Sequence, residues 1–70
     1  MSKVSAPLPG RIISFKVKQG DSVTKEQALF VMEALKMENV ILSEDAGTVT
    51  EIYVKEGGDV ETGDEVMEIV

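Results

Sequence analysis

The segment GRIISFKVKQGDSVTKEQALFVM, Gly10 to Met32, returns 37 residues later as GTVTEIYVKEGGDVETGDEVMEI, Gly47 to Ile69. Gly10 falls on Gly47, Ile12 on Val49, Phe15 on Ile52, Val17 on Val54, Gly20 on Gly57, Val23 on Val60, Leu29 on Val66 and Met32 on Ile69. One mismatch stands out: Glu26 occupies the place of Gly63. A repeat of this kind marks a supersecondary unit that cannot bury its apolar face alone, so each copy must cover the other. The chain has 70 residues, and two such units make one domain, residues 1–70. A domain of that size buries little core and has small reserves of stability.

Both copies read as strands. A glycine opens each one, an apolar run follows, then a Gly-Asp or Gly-Gly-Asp turn, a short β-branched piece and a second strand. Glycine supplies the positive φ that such turns need. The apolar positions are spaced by three and then by two, at 12, 15, 17 and at 49, 52, 54. A flat half-buried strand alternates strictly. The extra residue predicts a bulge in both copies, the device by which a sheet curls sharply. The expected fold is all-β, a flattened sandwich with pseudo-two-fold symmetry. Pro7 and Pro9 bracket Leu8 and read as an extended entry that ends in a turn at Gly10. Gly20, Gly47, Gly57 and Gly63 read as turn glycines without a direct functional role.

Composition removes several function classes. There is no cysteine, hence no disulfide and no thiolate chemistry, and no histidine, the commonest general base and metal ligand. Neither a catalytic residue nor a metal site is expected. The net charge of −6 argues against nucleic-acid binding, which needs a basic face. No apolar run has the length of a membrane span, so no direct membrane insertion is expected. No basic segment followed by an apolar core opens the chain, and the cytoplasm is the expected compartment.

Between the repeats lies MEALKMEN, Met32 to Asn39. Met, Glu, Ala, Leu and Lys are all good helix formers, and alone this stretch would read as a helix. The repeat opposes that reading, because Leu29 and Met32 align with Val66 and Ile69, which look like strand. Val40 to Leu42 is a β-branched run that ends at the turn signal EDAG. The consistent geometry is therefore strand, tight turn, strand, with Ala34 to Met37 at the tip. Such a turn lacks Gly, Asn or Asp at its centre and is locally unfavourable. A local rule broken at a single place points to function. On this reading Leu35 and Met37 are exposed at the tip around one lysine, Lys36, while Glu33 and Glu38 lie beside it as solvated charges.

The stretch EALKMEN resembles the Glu-Ala-Met-Lys-Met attachment motif of biotinyl domains. The frame is similar too, with SAPLPG before it, GDSV between, and GTVTEIYVKEGGDVETGDEV after it. The similarity runs from Val4 to Val70. It implies a barrel-sandwich hybrid of two antiparallel sheets in which Lys36, at a hairpin tip, is joined to biotin by an amide. Ala34, Leu35 and Met37 are then the motif neighbours of the attachment site, and Glu33 a weaker member. The implied role is that of a biotin carboxyl carrier, not itself an enzyme. It would serve a biotin-dependent carboxylase or decarboxylase, and its implied partners are a biotin protein ligase, a biotin carboxylase, and a carboxyltransferase or decarboxylase subunit.

Two departures from the family pattern are visible. Leu35 replaces the usual methionine, a volume-conserving swap, and Glu26 replaces the usual turn glycine. The short span from Phe15 to Gly20 leaves no room for the inserted thumb of some bacterial acetyl-CoA carboxylase carriers. The chain is more similar to the domains of pyruvate and propionyl-CoA carboxylases or of biotin-dependent decarboxylases. Lipoyl domains share the fold, but usually carry Asp-Lys-Ala where this chain has Leu-Lys-Met. A lipoyl carrier and an unmodified interaction module are the two alternative readings.

Overall fold

The computed structural model describes residues 2–70, which form eight strands and no helix. The strands are β1 (Ser2–Ser5), β2 (Gly10–Phe15), β3 (Ser22–Val23), β4 (Ala28–Ala34), β5 (Met37–Leu42), β6 (Gly47–Ile52), β7 (Asp59–Val60) and β8 (Glu65–Ile69). They make two four-stranded sheets, in the orders β5-β4-β2-β7 and β1-β8-β6-β3. The described pairings are all antiparallel.

The offset of the sequence repeat carries β2, β3 and β4 onto β6, β7 and β8, and β1 onto the second part of β5. Each sheet therefore draws two strands from each half, β2 and β4 with β5 and β7 in one, β6 and β8 with β1 and β3 in the other. The two-residue strands are exchanged: β7 pairs with β2, Gly10 opposite Val60, and β3 pairs with β6, Val23 opposite Gly47. The bulges expected from the apolar spacing are present in both copies. The register of β2 on β4 shifts between Ile12 and Ser14, and that of β6 on β8 shifts between Val49 and Glu51.

The repeated apolar positions meet between the sheets. Ile12, Leu29, Phe30, Met32, Val49, Val60, Val66, Met67 and Ile69 are buried there, with the Phe15 and Phe30 rings tilted at 56° and 6.0 Å apart. Among the described residues no buried polar side-chain atom lacks a hydrogen-bond partner.

The turns show how the two copies solve the same problem with different residues. Gly63 has φ 88° and Glu26, its counterpart, φ 70°. Both sit third in a tight turn, where glycine is the usual occupant. Asp64 accepts a hydrogen bond from the Glu61 amide at 2.8 Å, and Gln27 accepts the equivalent bond from the Thr24 amide at 2.9 Å. Glu26 thus holds the left-handed backbone that glycine adopts in the second copy, fixed by a matching side-chain clamp.

Gly47 requires a correction. It is the first residue of β6 rather than a turn residue, and a β-carbon there would lie 2.7 Å from the Val70 carbonyl oxygen. Gly10 is its partner under the repeat, and a β-carbon there would collide with the Glu33 carbonyl oxygen. Both glycines open a strand by letting another strand's backbone pass very close.

Candidate functional site: the β4–β5 tip

β4 and β5 form a long antiparallel ladder from Ala28↔Leu42 to Ala34↔Met37. Only Leu35 and Lys36 connect them, with φ 55° and 62°. Two consecutive left-handed residues are the signature of a type I′ hairpin turn, whose twist matches that of the flanking strands. Its usual occupants are Asn and Gly, and each L residue with a side chain costs about 1–2 kcal/mol in this conformation. The helix-forming propensity of MEALKMEN is overridden because β4 is a central strand with its apolar residues in the core.

Around the lysine the tip is sorted by depth. Ala34 is buried at the base of the hairpin and belongs to the core. Leu35 and Met37 stand out into solvent, 82% and 65% exposed. Lys36 is exposed and makes no ion pair or side-chain hydrogen bond among the described residues. Glu33 is exposed, directly opposite Glu38 on β5 and Arg11 on β2. Arg11 continues this row through its Nε, 3.4 Å from Asp59 Oδ1. The structure therefore brings Glu33, Leu35, Lys36 and Met37 together at the surface and places Ala34 underneath.

Two residues outside the expected site also shape it. The Asn39 side-chain amide donates to the Met37 carbonyl at 3.2 Å and fastens the start of β5. Gly10 lets β2 pass under the Glu33 carbonyl, two residues before the turn. The repeat contained the signal for Gly10, since it aligns with Gly47. Nothing in the sequence marked Asn39.

The tip lies far from the chain ends. Ser2 pairs with Ile69, and the Ser2 hydroxyl donates to the Asp45 carboxylate, which follows the end of β5 remote from the turn. A lysine intended for covalent loading needs an accessible ε-amine on a fixed support, and these residues meet that requirement. Among the described residues there is neither a group of side chains suited to hold a metal ion nor a helix long and apolar enough to cross a membrane.

Comparison with known proteins agrees with this arrangement. The family model described as "Biotin-requiring enzyme" matches residues 2–69. Pyruvate carboxylase 1 of Caenorhabditis elegans is 48% identical over 66 residues, covering 94% of this chain and 6% of that protein. The biotin carboxyl carrier protein of Streptococcus mutans is 45% identical over 64 residues, covering 91% of this chain and 49% of that protein. The crystal structure of Kluyveromyces lactis urea carboxylase superposes with a TM-score of 0.91 at 32% identity, over 99% of this chain and 6% of that one. The chain thus spans from a small fraction to about half the length of these relatives. With a family match over nearly its whole length and relatives of this identity, the chain belongs to the biotin/lipoyl family of biotin-requiring enzymes.

Proposed function

We propose that this chain is a biotin carboxyl carrier domain and that Lys36 is the residue that receives biotin. The observation that carries this reading is the presentation of one unpaired lysine by a strained two-residue turn, between exposed Leu35 and Met37. The relatives named as a biotin carboxyl carrier protein and as pyruvate carboxylase support the choice of cofactor. The domain has no catalytic residue of its own to contribute, and its task is presentation.

The chain's part in loading follows from the geometry. The lysine stem is long and flexible, while its Cα is fixed by the I′ turn. Acylation removes the ammonium charge. Because that charge has no partner among the described residues, its loss breaks no contact. The ammonium first gives one proton to solvent; the neutral amine then forms the C–N bond as the activating group leaves the carboxyl carbon, and a second proton passes from nitrogen to solvent. When bound, biotin supplies the atom that carries a carboxyl group between two active sites. Tethering keeps the local concentration of the carried group high at each of them. The partners on this reading are a biotin protein ligase, a biotin carboxylase and a carboxyltransferase or decarboxylase, and the expected compartment is the cytoplasm.

Intact mass after co-expression with a biotin protein ligase tests the proposal. One biotinyl group is expected on the parent chain and none on Lys36→Arg, with unchanged thermal melts. Biotin at Lys16, Lys18, Lys25 or Lys55 in that variant would place the attachment elsewhere. A lipoyl mass in cells holding both ligases would favour the lipoyl reading, and an unmodified mass the interaction module.

A further inference from the structure

The internal repeat supplies a comparison within one molecule, because each position on the outer face of one sheet has a counterpart on the other. On the sheet that does not bear Lys36 these positions are polar. Thr50 Oγ1 donates to Glu68 Oε1 at 2.9 Å, Lys3 lies 3.5 Å from Glu65, and Ser5 continues the row. On the lysine-bearing sheet the counterparts of Thr50, Glu68, Lys3 and Ser5 are Ile13, Val31, Val40 and Leu42. Val31 pairs directly with Val40, and the β2 bulge turns Ile13 outward beside them. Ile13, Val40 and Leu42 are 40%, 54% and 49% exposed. The fold does not require this apolar stripe, since the same backbone tolerates a polar set in the other half.

We propose that this stripe is the docking surface for the ligase that modifies Lys36, an inference that rests on the function proposed above. Three features identify the occupant. The stripe is continuous with the tip through the Glu33–Glu38 row, so a partner seated on it lies against the turn. Acidic residues bound it at both ends, Glu33 and Glu38 toward the tip and Glu44 and Asp45 beyond Leu42, which fits an apolar partner surface with a basic rim. Finally, a ligase meets a bare lysine and must come close enough to place a short stem within about an angstrom of its target. Partners acting after modification meet a much longer arm and have less need of the sheet. A patch of this size suits an encounter that forms and dissolves, as a carrier requires, rather than a permanent dimer.

The test is steady-state biotinylation of the chain by a biotin protein ligase with biotin and ATP. The main variant, Ile13→Thr/Val40→Lys/Leu42→Ser, installs the residues that the other sheet already carries. A KM raised by about tenfold or more at unchanged kcat, with an unaltered melt, is the expected result. Val40→Thr alone, neutral and strand-compatible, separates apolar contact from charge and covers the case in which the triple variant does not fold. It should raise KM by a smaller factor. Lys3→Val/Ser5→Leu, on the opposite sheet, should leave KM unchanged. An unchanged KM in the folded stripe variants overturns the docking surface while leaving Lys36 as the attachment site. So does an equal KM change from the opposite sheet, or a parent that sediments as a dimer and becomes monomeric in the stripe variant at unchanged KM. A parent that takes no biotin overturns both proposals.

Discussion

Among the described residues, three with side chains hold left-handed backbone, and they divide into two kinds. Glu26 stands where the second copy has Gly63, in a turn outside the MEALKMEN stretch. Glu26→Gly should therefore stabilise the domain by about 0.5–1 kcal/mol, the relief of the left-handed penalty less the entropy that glycine gains in the unfolded chain. Denaturant titration should show a raised midpoint at constant slope, with biotinylation unaffected. Leu35 and Lys36 are different, because there, on the proposed function, the strain aims the amine that receives biotin. Exchanging them by Leu35→Lys with Lys36→Leu keeps composition and leaves both side chains outside the core. Biotin transfer, followed by mass spectrometry, should fall by orders of magnitude while the melt stays in place, because the amine starts from a different point of the turn. A similar rate in the exchanged chain would mean that the ligase does not read the geometry of the tip. Lys36 was legible in the sequence because it is the single lysine in a stretch that the repeat forbids from being a helix. The left-handed pair was legible only as a conflict between propensity and pattern.

At the scale of strands, the tip depends on what passes beneath it. Gly10 begins β2 under the Glu33 carbonyl, and a methyl group there has no space that leaves the β2–β4 ladder undisturbed. Gly10→Ala should cost roughly 2 kcal/mol or more, in the range of overpacking in a filled interior. It should also lower the rate of biotinylation, since the displaced strand carries the turn. Gly20→Ala provides the contrast. Gly20 has φ 95° and open space around its Cα, so its cost should be that of the backbone alone, about 1–2 kcal/mol, with loading unchanged. Parallel melts and biotinylation rates on the two variants distinguish collision from strain. The long strands and their bulges could be inferred from the spacing at 12, 15, 17 and 49, 52, 54. The two-residue strands β3 and β7 could not, because a ladder that short leaves no periodicity and takes its register from a distant partner. Gly47 was misread for the same reason: a glycine needed for a close approach looks, in sequence, like a glycine needed for a turn.

For the molecule as a whole, the end proposed to carry biotin and the rest are mechanically separate. Leu35, Lys36 and Met37 project beyond the core, whereas the buried set comes from both halves. Loading Lys36 should consequently leave the stability of the domain unaltered, and biotinylated and bare chains should melt within about 1 °C of each other. A shift of several degrees, about 1 kcal/mol for a domain of this size, would show that the arm folds back onto the surface. The exchange of β3 and β7 has a consequence for the order of events during synthesis. The hairpin that bears Lys36 is synthesised before β6, β7 and β8. Until they arrive, β2 has no partner on its outer edge, and the sheet that must cover Leu29, Phe30 and Met32 does not exist. The left-handed turn has nothing to hold it at that stage, and MEALKMEN is free to follow its helical preference. On the proposed function, an enzyme that accepts the lysine only at the end of a taut hairpin thereby accepts only chains whose β6, β7 and β8 have been made. The covalent mark would then certify that synthesis has run through Ile69.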